Sequence, residues 1–100
     1  MIFITQLIYI KAGQEQVFDE FEAVAIPLIS KYNGRLLLRI RPDEKNLIEA
    51  STDLPSEIHL VEFPAEADFE RFVKDPVRAQ LLHLKEKSIR ASVLIKGQKL

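Results

Sequence analysis

The sequence predicts an α+β domain in which one antiparallel sheet carries its helices on a single face. Three observations predict it. Apolar runs with strand character open the chain, recur twice in its middle and close it. Between them stand two stretches whose apolar residues repeat every three or four positions, the helical period. The order is strand, helix, strand, strand, helix, strand: two strand–helix–strand halves, the split βαβ or ferredoxin-like βαββαβ pattern.

Residues 2–10 read IFITQLIYI, rich in β-branched and aromatic side chains and interrupted by Thr5 and Gln6. Such a run suits a central, nearly buried strand, and KAG ends it. Over residues 14–32 the period changes. Val17, Phe18, Phe21, Val24, Ala25, Leu28, Ile29 and Tyr32 form one stripe of a helix. Pro27 falls inside it and removes the hydrogen bond to the Ala23 carbonyl, so a bend is expected. Asn33-Gly34 supplies the left-handed residue that ends the helix.

RLLLRIR, residues 35–41, is the second strand, with Leu36, Leu38 and Ile40 on one face and Leu37, Arg39 and Arg41 on the other. Pro42 stops it. Residues 42–57 form a polar connection, long for a hairpin, in which NLIEA is a candidate short strand. Such long connections are often functional. SEIHLVEF is the third strand. PAEADFERFVKD begins the second helix, with Phe69, Phe72 and Val73 as its buried face. Asp75 as N-cap and Pro76 at the first helical position restart it, and Leu81, Leu82 and Leu84 continue its apolar side. IRASVLIK, residues 89–96, is the last strand.

Two helices on one face leave the other face of the sheet bare. Burying it against the same face of a second copy is the direct solution, so a homodimer is expected. The 100 residues make one domain, 1–100. A chain this short has a thin stability margin, which association would widen.

Composition excludes several function classes. Hydrophobic residues are 47% and charged residues 29%, with a net charge of −1, the balance of a soluble globular protein. The densest basic cluster, Arg35, Arg39 and Arg41, is too small to track phosphates, so no nucleic acid is expected. No apolar run is long enough to span a bilayer, and no membrane partner is expected. There are no cysteines, which excludes thiol catalysis and disulfides and is compatible with a reducing, cytoplasmic setting. The opening MIFITQLIYIK has neither a basic region nor a small-residue cleavage site and is expected to be a strand, not a signal peptide.

GRLLLR after the first helix, IEAS and LPSEIHLVEFP through the loop and third strand, and FVKDPVRAQLLHLKEKSI before the last strand resemble an uncharacterised group of small proteins in the dimeric α/β-barrel superfamily. The shared features are a glutamate–small-residue pair in the long loop, an EFP strand end, and a helix in which proline is followed by leucines and then by basic residues and serine. The likeness covers nearly the whole chain. Ala50 stands where glycine is usual after Glu49, and Val73 follows Phe72 where aromatic pairs are common. Relatives include cofactor-independent monooxygenases, EthD-like proteins, YciI-like proteins and haem-dependent enzymes. The resemblance implies a dimeric α/β barrel; the chemistry must be argued from a site.

In the barrel so implied, the bare sheet faces of two copies meet, and a pocket lies between each sheet and the loops. His59 alternates with Ile58 and Leu60, and Arg39 with Leu38 and Ile40. With Leu38, Ile58 and Leu60 turned toward the helices, His59, Arg39 and Arg41 face the barrel, joined by Thr5 or Gln6. A buried arginine needs an anion, either Glu49, Glu57 or a ligand carboxylate or phenolate. His59 can exchange a proton near neutrality, and burial and a neighbouring guanidinium both lower its pKa. One reading is a structural polar network. The other is a ligand pocket, with His59 catalytic and Arg39, Arg41, Thr5 and Glu49 contacting the ligand.

His83, between Leu82 and Leu84, is expected on a helix face or an interface. Glu49, Asp53 and His59 lack any recognised metal spacing, and Ser88 and Ser92 lack a nucleophile motif. Neither metal nor cofactor is expected. Two functions follow. One is a cofactor-independent enzyme, monooxygenase-like or isomerase-like, acting on a small anionic or aromatic molecule. The other is a non-catalytic ligand-binding or dimerisation module.

Overall fold

The computed structural model describes residues 1–100. Strand β1 (Ile2–Ile10) is followed by helix α1 (Glu15–Lys31) and strands β2 (Arg35–Ile40) and β3 (Glu57–Phe63). Three short helices, α2 (Glu66–Val73), α3 (Pro76–Gln80) and α4 (Leu82–Ser88), then lead into strand β4 (Ile89–Gly97). The four strands form one sheet of order β2-β3-β1-β4, and every neighbouring pair is antiparallel. This is the ferredoxin-like α+β fold.

The turn and cap signals act where expected. Helix α1 runs without a break through Pro27. Asn33, at φ 66°, is the left-handed residue of the Asn33-Gly34 pair. Gly34 serves a different end: a Cβ there would lie 2.5 Å from the Phe63 ring, so only glycine lets the chain pass over that ring. Asp75 caps α3, its carboxylate accepting from the backbone N–H groups of Val77 and Arg78 at 2.8 and 3.1 Å. NLIEA, by contrast, makes no strand. It sits in irregular chain around a single 3₁₀ turn, Glu44–Asn46.

The core lies between the sheet and the helices. Ile4, Ile29 and Phe63 form one buried cluster, and Ile8, Ile10 and Phe18 another. Phe63 packs against the rings of Phe69 and Phe72 at 5.6 and 5.7 Å between centroids.

These contacts set which face of each strand meets the helices, and they correct the expected facing of β2 and β3. Phe63 points to the helices, so Val61, His59 and Glu57 do too. Their neighbours Ile58, Leu60 and Glu62 take the open face. The register agrees: Ile4 pairs with Val61 and Gln6 with His59, whereas Thr5 pairs with Leu60. In β2 an irregularity between Leu36 and Leu38 breaks the alternation. Leu36 therefore packs on the core with Phe63, while Arg39 pairs across to His59 on the helix side.

Leu37, Leu38, Ile40, Val93 and Ile95 remain 36–49% exposed, and most of them lie on the face turned away from the helices. No helix is long and apolar enough to cross a membrane.

Candidate functional site

Between the sheet and helices α1 to α4 lies a mostly apolar cavity of about 190 Å³. Strand β1 contributes Gln6, β3 His59, α1 Glu22, α3 Arg78 and α4 Lys85; Phe21, Phe63, Phe69 and Phe72 supply aromatic walls. Five side chains with polar ends thus converge on one greasy space.

His59 is 3% exposed, and its Nε2 lies 2.8 Å from Oε1 of Glu57. Glu57 is fully buried and accepts further bonds from Arg39 (Nε 2.7 Å, Nη2 3.1 Å) and Arg41 (Nε 2.9 Å). Asp19 on α1 completes the cluster, accepting from both arginines at 3.0 and 2.7 Å. Burial alone would raise the Glu57 pKa. The hydrogen bonds from Arg39, His59 and Arg41 outweigh it and bring the group down to about 2. Glu57 is therefore an ionised, acceptor-only carboxylate.

Burial lowers the His59 pKa, with the Arg39 charge adding to it and the bond to Glu57 opposing it. A neutral imidazole beside such an acceptor carries its proton on Nε2. Nδ1, which makes no bond within the protein, then holds the free lone pair.

Glu22 is 9% exposed and has neither a hydrogen bond nor an ion pair inside the protein. Burial pushes its pKa from 4.5 to about 7, against the attraction of Arg39, Arg78 and Lys85. Lys85 is also without a bonded partner, and burial lowers its pKa, as does the charge of Arg78.

Arg78 is 8% exposed. Its guanidinium makes one hydrogen bond, Nη1 to the Val73 carbonyl at 3.1 Å, and its covered Nε has no acceptor. It stacks near the rings of Phe72 and Phe21, at 5.3 and 5.8 Å from their centroids. Arg78 is held there by the start of α3, where Asp75 also accepts from the Tyr32 hydroxyl and from Lys31 Nζ at 3.1 Å.

The residues singled out in the sequence are thus dispersed. His59 lines the cavity. Arg39 and Arg41 stand behind it, their donors engaged by Glu57 and Asp19. They face the helices, not a barrel interior, because the parity of β3 is set by Phe63. Thr5 lies on the open face and Gln6 takes the place beside His59. Glu49 is exposed on the long connection. His83 is exposed on α4. Sequence reasoning passed over Glu22, Arg78 and Lys85. Glu22 had a signal: it falls four residues after Phe18 and three before Ala25, inside the apolar stripe of α1. Arg78 and Lys85 had none, because the chain breaks phase at Leu81 between α3 and α4.

No family model matches the chain, and no curated protein matches it. Solved structures do. A protein of unknown function from Rhodopseudomonas palustris aligns with a TM-score of 0.84 at 16% identity, over 99% of this chain and 82% of its own. A DABB family protein with a ferredoxin-like fold from Mesorhizobium loti aligns with a TM-score of 0.70 at 17% identity, over 99% and 96%. A structure described as an antibiotic biosynthesis monooxygenase aligns with a TM-score of 0.71 at 13% identity, over 100% and 99%. At these identities the likeness is one of fold: the chain has the ferredoxin-like architecture that these proteins share.

Proposed function

We propose that the protein is a small, cofactor-independent enzyme of the isomerase-like type, moving protons on an aromatic or enolisable molecule held between sheet and helices. One observation carries the reading: a mostly apolar cavity holds both a neutral imidazole fixed by an ionised carboxylate and a carboxyl group whose pKa is about 7. His59, with Nε2–H given to Glu57, offers Nδ1 as a base. Glu22, protonated at neutral pH about half the time, offers a proton. One group can take a proton from a weakly acidic C–H or O–H and the other can return one at a different atom, which is isomerisation. The same anion passed to dioxygen would give monooxygenase-like chemistry, but two proton carriers in one cavity favour the isomerase-like course. Arg39 and Arg41 act at one remove, keeping Glu57 ionised and so fixing the His59 tautomer.

The open sheet face supports pairing with a second copy. It presents exposed apolar side chains, among them Leu38, Ile40, Val93 and Ile95, which a two-fold axis would set against their own copies. A cysteine-free chain suits work in the cytoplasm. A non-catalytic binding module is the competing reading.

Loss of the benzylic protons of phenylpyruvate in D₂O, followed by proton NMR, separates the two. The wild-type protein should accelerate exchange, and His59→Gln should slow it by about 10²-fold or more. Equal exchange with and without protein would leave the binding module as the better account.

A further inference from the structure

Arg78 is the one buried arginine of the cavity without a counter-ion. Two other buried carboxylates, Asp75 and Glu57, are already engaged. Asp75 accepts from Tyr32, Lys31 and two backbone N–H groups. Glu57 accepts from Arg39, Arg41 and His59. No carboxylate lies within ion-pair distance of the Arg78 guanidinium. A cation 8% exposed, with one hydrogen bond and a covered Nε lacking any acceptor, is costly unless an anion reaches it. Glu22 lines the same cavity with no bond of its own.

Size narrows what that anion belongs to. An apolar cavity of about 150 Å³ takes a benzene ring, so about 190 Å³ suits one ring with a short charged substituent. The walls agree, since Phe21 and Phe72 flank the guanidinium.

Resting on the reading that this cavity receives a small molecule, we infer that its ligand is a single-ring monocarboxylate or an aliphatic acid of similar size, whose carboxylate docks on Arg78 while Glu22 holds a proton. The coupling is electrostatic. An ionised Glu22 would place a second anion in the same small space, and like charges there exclude each other. The groups that bear on Glu22 come from every surrounding element: Arg39 on β2, Glu57 and His59 on β3, Arg78 on α3 and Lys85 on α4. Of these, Arg39 and Glu57 compensate each other through their bonds, and His59 is neutral near pH 7. Arg78 and Lys85 leave the cavity positive, and Glu22 offsets part of that charge only when ionised.

Calorimetric titration with benzoate and with its neutral analogue benzamide, at pH 6 and pH 8, tests this. Benzoate should bind more tightly than benzamide at pH 6 and lose about tenfold in affinity by pH 8, one decade above the Glu22 pKa of about 7. Benzamide should show no such slope. Glu22→Gln should bind benzoate equally at both pH values, and Arg78→Met should lose benzoate by tenfold or more while keeping benzamide. If benzoate and benzamide bind alike at both pH values, the proposal fails and the small-molecule cavity stands. If neither binds at millimolar concentration, both fail. A slope that survives in Glu22→Gln assigns the proton to Lys85 and overturns the role given to Glu22.

Discussion

Replacing Glu22 with glutamine should stabilise the protein in alkaline solution and leave it nearly unchanged in acid. Glu22 is nine-tenths buried and has no bonded partner, so ionising it in the folded state costs free energy that the unfolded chain does not bear. Its pKa rises on folding from 4.5 to about 7. Within that window the native state holds more protons than the unfolded state, so stability falls as pH rises. At about 1.4 kcal/mol per tenfold, the full loss above pH 7 is on the order of 3 kcal/mol.

Glutamine carries no charge at any pH and removes the loss. Urea unfolding at pH 4 and pH 8, at fixed protein concentration, reads it. With a slope of about 2 kcal/mol/M, the variant should gain about 1.5 M in midpoint over wild type at pH 8 relative to pH 4. An equal difference at the two pH values would refute the buried, unpaired carboxyl. Destabilisation confined to pH 8 would show that Glu22 is the counter-ion of Arg78.

Other outcomes follow from the same structure. Gly34→Ala should cost about 1–3 kcal/mol in chemical denaturation, because its Cβ would meet the buried Phe63 ring at 2.5 Å and that ring is packed on its other side by Phe69 and Phe72. Glu57, lowered from 4.5 to about 2, lends stability that is present above pH 4.5 and lost as pH falls toward 2. Glu57→Gln should erase that acid limb and cost about 2–3 kcal/mol at neutral pH, since Arg39 and Arg41 then keep only Asp19, and both are partly solvated. Ile95→Asp, on the open sheet face, should convert a species of twice the chain mass into a folded monomer by light scattering; a wild-type monomer would remove the second-copy proposal.

By itself the sequence determined the four strands, the first helix and the restart at Asp75-Pro76, and from their order the topology; the further break at Leu81 was not legible in it. The reasons are local. Period-two and period-3.6 patterns differ within a few residues, Asp75-Pro76 carries its own cap, and Asn33 can adopt a left-handed backbone beside a glycine. Duplicated strand–helix–strand halves then admit few sheets other than β2-β3-β1-β4.

What only the tertiary structure decided was the sign of the alternation and the identity of the free charge. Strands β2 and β3 carry apolar residues on both faces, so alternation states that His59 and Leu60 point oppositely without stating which meets the helices. Phe63 settles it by filling the space over Gly34, and the irregularity between Leu36 and Leu38 resets the parity of β2. Likewise, Arg39 and Arg78 look alike along the chain. One is neutralised by Glu57 and by Asp19 on a helix 20 residues away in sequence, and the other meets aromatic rings and a single backbone carbonyl. Charge compensation is a property of side chains that converge in space, so the arginine left open to a ligand becomes visible only once the sheet and helices have closed around it.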